Sequence, residues 1–172
     1  MNFPKLAASL RRFGQLLPVQ VRGVSDDDAR WRPPSQNWSI LEIVCHLVDE
    51  EREDFPLRLR MTLENPQKRW PSINPELSAV DRNYNEMNLA GKVREFCELR
   101  EASVKWLERL PRPQWGTVYQ HPHLGSLRAG DILAAWAAHD QLHIRQIAKR
   151  MYELIRRDAG EFLVDYAGEW TA

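Results

Sequence analysis

Three histidines in this chain have the type and spacing to do chemistry together. His139 and His143 stand four apart in a stretch where Ile132, Trp136, Ile147 and Met151 recur at three- and four-residue intervals. Both imidazoles therefore project from one helical face, one turn from each other. Such a pair can arise in any helical core, so a metal site needs a third ligand. His46 supplies a candidate: it lies in Ile40-Leu41-Glu42-Ile43-Val44-Cys45-His46-Leu47, a second helical stretch, near its buried edge. One His from one helix and a four-spaced pair from another match three protein ligands around a divalent ion, with a fourth position left for water. Neutral imidazoles suit zinc or nickel best, with iron, cobalt and copper also compatible, and do not favour calcium or magnesium. An open fourth position would lower the pKa of a bound water or thiol and polarise a carbonyl, which makes hydrolysis and thiol transfer the two chemistries in view. Glu50, four after His46, shares its face and is placed to orient that ring or take a proton; Asp49 is the neighbouring alternative. Asp140, about 100 degrees round the helix from His139, is expected at the surface or supporting a ligand.

The elements that must position these residues are helices. A first amphipathic helix is expected from Pro4 to Gln20, with Phe3, Leu6, Leu10, Phe13 and Leu17 on one side. Gly23 and Asp26-Asp27-Asp28 break it, and Trp31 to Asn37 form a proline-stiffened approach to the next helix. That helix has an explicit start: Ser39 and Glu42 stand in capping-box spacing, with Trp38 before the cap and Ile43 at the staple position. Its solvated side is expected to hold Glu42, Asp49, Glu51, Arg52 and Glu53, and Pro56 to kink or end it. From Pro66 to Asn85 periodicity is lost. A connection of this length is expected to be a crossover or a lid over the site, with Asp81 and Tyr84 as pocket-lining candidates. A third helix is expected from Asn88 to Leu110, its apolar face interrupted by Arg100, which either snorkels outward or meets a substrate anion. His121 and His123 flank Pro122 in an expected surface turn, after which Ser126 is placed to cap the long fourth helix. Gly130, early in that helix, marks either close packing or a tolerated weakness.

The 172 residues suffice for one domain with one core. Lys plus Arg and Asp plus Glu are each 24, so no charge excess calls for nucleic acid or an anionic membrane, and a small-molecule substrate is expected. Cys45 and Cys97 lie among apolar residues with no close Cys-Cys motif, as buried thiols of a reducing compartment do. The absence of a membrane-length apolar run or a leader pattern gives a cytoplasmic expectation. The apolar tail, 157–172, with Phe162, Leu163, Val164, Tyr166 and Trp170, is expected to pack on the bundle or a second subunit, which makes a homodimer an expectation. Four helical segments with long connections give an all-α four-helix bundle spanning 1–172.

Three stretches also carry a family resemblance. Asn37-Trp38-Ser39-Ile40-Leu41-Glu42-Ile43-Val44-Cys45-His46-Leu47-Val48-Asp49-Glu50-Glu51, His121-Pro122-His123-Leu124-Gly125-Ser126-Leu127, and Trp136 to Ile147 with both late histidines resemble the DinB/YfiT-like superfamily of metal-dependent enzymes over Phe3 to Tyr152. The resemblance implies a four-helix bundle whose divalent ion is held by three His, matched here by His46, His139 and His143. It further implies a hydrolase or a low-molecular-weight-thiol S-transferase using bacillithiol, mycothiol or glutathione. For a charged thiol, Arg100 and Tyr84 are the anchoring candidates. The loop around His121 resembles the family's approach to the last helix, which implies a positional or pocket role over metal ligation. Two other classes stand beside the enzyme: a nonenzymatic metal- or ligand-binding bundle, and a structural or interaction protein.

Overall fold

The structure, a computed structural model, describes residues 1–170. In chain order the elements are α1 (Phe3–Gln20), a short α2 (Asp26–Arg30), α3 (Ile40–Asp49), a π turn (Glu50–Asp54), α4 (Phe55–Glu64), α5 (Pro75–Asp81), a 3-10 turn (Tyr84–Glu86) and α6 (Leu89–Glu108). A hairpin of β1 (Val118–His121) and β2 (Gly125–Arg128) then leads into α7 (Ala129–Asp158), and a 3-10 turn (Asp165–Ala167) follows. The bundle consists of α1, the continuous α3–π–α4 rod, α6 and α7: α1 packs on α6 and α7, α3 on α6 and α7, and α4 on α7. Its core holds two apolar clusters, one around Phe13, Leu17, Val44, Phe96 and Ile147, the other around Leu10, Leu59, Leu107, Leu133 and Trp136. Among the described residues no helix is long and apolar enough to cross a membrane.

The start of α3 is fixed as its spacing predicts. Ser39 Oγ accepts from the Glu42 amide at 3.2 Å while the Ser39 amide donates to Glu42 Oε2 at 2.9 Å. Ser39 Oγ also donates to Asn85 Oδ1 at 2.7 Å, tying the cap to the incoming connection. Ser39 is fully buried, so Ser39→Ala should destabilise the fold by about 1–2 kcal/mol, read from the midpoint of a urea titration; an unchanged midpoint would show the cap to be dispensable.

Several expectations are corrected, each for a local reason. The second helix is interrupted ahead of Pro56: α3 gives way to the π turn, where the Phe55 amide reaches back to the Glu50 carbonyl and Asp54 takes a non-helical backbone, and Pro56 stands in the first turn of α4, where its missing amide costs no bond. Glu51, expected in solvent, follows Leu47 by four and Val48 by three on their buried face and is itself buried, as is Glu42, which pairs with Arg32. The acidic run after Gly23 is itself α2, capped by Ser25. The long connection contains α5, begun by Asn74 accepting from the Leu77 amide at 3.1 Å. The segment before the last helix is the hairpin, with His121 opposite Gly125, whose φ of +73° suits glycine. Ser126 is therefore a strand residue, and α7 is capped at Arg128, whose amide donates to Asp131 Oδ2 at 2.9 Å. Gly130 does mark close packing: a Cβ there would lie 3.3 Å from the Trp115 carbonyl oxygen. In the tail, Phe162, Leu163 and Tyr166 are 74%, 83% and 105% exposed on the single chain, and Trp170 lies tilted against Tyr152 with ring centroids 5.5 Å apart. Residues 171 and 172 of that range lie outside the described residues.

Candidate metal centre

The α3–π–α4 rod and α7 bring His46, His139 and His143 together, with a potential ligand atom of each within 4.8 Å of the others. His46 lies at the end of the second turn of the capped helix, and its ring stands 5.4 Å from that of His139 and 4.8 Å from that of His143. The four-residue spacing in α7 places His139 Nε2 and His143 Nε2 2.9 Å apart. Each ring is held from behind. Glu50 Oε1 lies 3.5 Å from His46 Nδ1, Gln146 Oε1 lies 2.7 Å from His143 Nδ1, and Trp38 and Phe55 pack on His46 and His139 with centroids at 5.0 Å. These contacts leave the ring nitrogens facing the cluster free for a ligand, as supporting partners do around a metal.

Electrostatics agree with that chemistry. Burial, and then the charge the other imidazoles would carry, hold His46 and His139 down at about 3, and burial also lowers His143. All three are thus neutral near pH 7 with lone pairs available, the form that binds a divalent ion. The spread of 4.8 Å is small enough for slight side-chain rotation to bring the donors onto one ion with bonds of roughly 2.0–2.1 Å. The donor set fits.

The cluster lines a cavity of about 900 Å³, whose wall also includes Glu50, Asp54 and Phe55 from the rod and Ile73, Asn74, Pro75 and Glu76 from the connection before and into α5. The long connection therefore does reach the mouth of the site. Burial, and then the adjacent Asp54 carboxylate, push Glu50 up to about 8; burial also raises Asp54, against Arg58 and Glu50, which lower it. Asp54 is additionally held by Arg58 at 2.8 Å. The pair consequently keeps a proton, placed on Glu50 because Arg58 favours the charge on Asp54.

The other candidates stand elsewhere. Asp49 accepts from the Tyr84 hydroxyl and from Arg82, and both Asp49 and Tyr84 border only a narrow crevice beside His46 and Glu50, outside the cavity itself. Arg100 neither snorkels nor faces the cavity. It is 2% exposed and donates to Glu51 Oε2 at 2.9 Å, to the Leu10 carbonyl at 3.1 Å and to both oxygens of Asp140 at 2.7 and 2.9 Å. The guanidinium lies over Phe13, Phe96 and Trp136, between the two apolar clusters, so it is spent on the fold and offers no anchor for a thiol. Asp140, expected at the surface or behind a ligand, is accordingly a buried counterion. Gly14 makes room for this arginine: a Cβ there would meet Arg100 Cγ at 3.0 Å. His121 closes the hairpin turn, its Nδ1 accepting from the His123 and Leu124 amides at 3.2 and 3.1 Å, and neither His121 nor His123 joins the cluster. Sequence reading missed Asp54 and Gln146, although Asp54 follows Glu50 by four and Gln146 follows His143 by three, spacings that share a face.

Fold and site together define a helical bundle with a three-imidazole centre suited to a divalent metal. The chain belongs to the DinB superfamily, whose family model matches residues 9–147. In fold it is similar to YfiT from Bacillus subtilis, with a TM-score of 0.79 and 16% identity over 88% of this chain and 87% of that one. YfiT is described as a probable metal-dependent hydrolase with an unusual four-helix bundle topology. No curated protein matches the sequence.

Proposed function

We propose that this protein is a divalent-metal-dependent hydrolase of small molecules, with His46, His139 and His143 as the metal ligands and Glu50 as the proton-handling group. The observation that carries the reading is the meeting, in one cavity, of three clustered imidazoles and the Glu50 and Asp54 carboxyls. The description of YfiT supports the same class of chemistry. Zinc or nickel suits the all-nitrogen donors best. When bound, such an ion supplies Lewis acidity, favouring the deprotonated form of a nucleophile and polarising the group it attacks.

The chain's own residues do the rest. Gln146 and Glu50 hold two of the ligand rings in orientation, while Trp38 and Phe55 shield the cluster from bulk water. Glu50 gives its proton to the leaving group and is reprotonated from water, while the Arg58 guanidinium beside the pair offsets the negative charge left on Glu50. A second reading, S-transfer to a low-molecular-weight thiol, is favoured by the cavity volume of about 900 Å³, which admits a co-substrate beside the substrate. It does not use Arg100.

The test loads purified protein with Zn²⁺ or Ni²⁺ and assays nitrophenyl esters, amides and phosphoesters with and without glutathione. Chelator-sensitive turnover without the thiol is expected; turnover only with the thiol would move the assignment to transfer. Glu50→Gln should keep the full metal stoichiometry and lower turnover by roughly 10²-fold or more. Unchanged turnover would remove Glu50 from its role.

A further inference from the structure

The His cavity adjoins a second groove of about 400 Å³, and the two share Asn37, Trp38, Leu142 and Gln146 in their walls. Their charges are opposite. Among the described residues the cavity is lined by Glu50, Asp54 and Glu76 and by no Lys or Arg, while the groove is lined by Arg145, Lys149 and Arg150 and by no carboxylate. In a chain with 24 basic and 24 acidic residues, two cations, Arg145 and Lys149, without a carboxylate partner among the described residues, beside a third paired with Glu153, make a local excess, and a concave wall concentrates its effect on an anion. Arg150 is 4% exposed, and its Nε is buried without a hydrogen-bond acceptor, although the side chain is ion-paired with Glu153. An unmet buried guanidinium N–H at a groove wall is what an entering carboxylate or phosphate oxygen would satisfy. Arg145 is exposed and Lys149 half-buried, and neither forms an ion pair among the described residues.

We propose that this groove is an anion subsite, and that the molecule reacting at the His cluster carries a carboxylate or phosphate at its far end. The reach follows from the helix. Lys149 and Arg150 follow His143 by six and seven positions on α7, which at 1.5 Å per residue puts them roughly 9–10 Å along the axis. Trp38, Ile43 and Leu142 line the path between, so the middle of the ligand is apolar. Leu142, 60% exposed at the junction of the two spaces, is then a contact residue and not a packing oddity. The reacting end of this ligand rests on the metal-centre reading above; the anion subsite itself does not.

The experiment separates the two. Metal-free protein is titrated calorimetrically at low ionic strength with hexanoate, hexyl phosphate and, as the neutral control, hexanol. Saturable binding of at least one anion is expected, with none of hexanol, and Arg145→Ala/Lys149→Ala should weaken it roughly tenfold or more. The two anion arms tell carboxylate from phosphate. No saturable binding of either, or equal binding by the double variant, overturns the subsite. With Co²⁺ loaded, paramagnetic broadening should be stronger at the probe's terminal methyl than at the methylene beside its anionic head; the reverse gradient overturns the orientation. Failure to retain Co²⁺ would instead refute the metal centre and leave the anion titration to decide the groove.

Discussion

His143→Ala is expected to abolish the thermal stabilisation that zinc or nickel confers on the wild-type protein. A site occupied at a thousand times its Kd stabilises the folded state by about 4 kcal/mol, which for a chain of this size corresponds to a rise of roughly 8–16 °C in Tm. Supporting partners of metal ligands alone are worth 10- to 100-fold in affinity as a rough guide, so loss of a ligand should exceed that range. Because removal of His143 relieves the desolvation of a buried imidazole while losing its contacts to Gln146 and His139, the two effects offset and the metal-free variant should melt close to metal-free wild type. Gln146→Ala, which frees the ring without removing it, should fall between the two. The check is a melting series with and without metal after chelation. A metal-induced shift in His143→Ala equal to that of wild type would refute the three-imidazole centre.

The second large effect is on stability alone. Arg100→Met should cost about 3–5 kcal/mol, a fall of roughly 6–20 °C in Tm, because it leaves Glu51 and Asp140 as buried carboxylates without a counterion. Arg100→Lys should recover only part of this, since an ammonium cannot reproduce the paired bonds to both Asp140 oxygens. Replacing all three residues by apolar ones of similar volume should restore most of the loss, because the charges cost desolvation that their attraction only offsets. Chemical denaturation of the four proteins reads this directly. A single variant as stable as wild type would mean that the triad contributes nothing to the fold.

The histidine centre was legible because its signals are local: a four-residue spacing in α7 and a capping box that sets where His46 falls. The apolar faces of α1 and α6 were legible for the same reason. Arg100 was not, since a cation on an apolar face looks the same whether it snorkels or finds Glu51 and Asp140 from two other elements. Glu51 was misplaced because its charge was read as solvated, although it follows Leu47 by four and Val48 by three on the buried face; the partner that makes its burial tolerable, Arg100, comes from another helix. The hairpin was masked by Pro122 and two histidines, which resemble an irregular turn until the pairing of Val118 to His121 with Gly125 to Arg128 is seen. Asp54 and Gln146 were readable in principle, but only after Glu50 and His143 had been given a site to belong to.

Glu50 and Glu51 are neighbours, as are His139 and Asp140, and in each pair one residue serves the histidine cluster while the other grips Arg100. The arginine thus works as a locking pin between two rods. Sliding α7 past the α3–π–α4 rod by a single residue, about 1.5 Å, would carry Asp140 off the pin at the same time as it moved His139 and His143 relative to His46. The alignment of the centre is in this way guarded by charges that never touch it: a shift of register in the bundle breaks the arginine's pairing as well as the cluster.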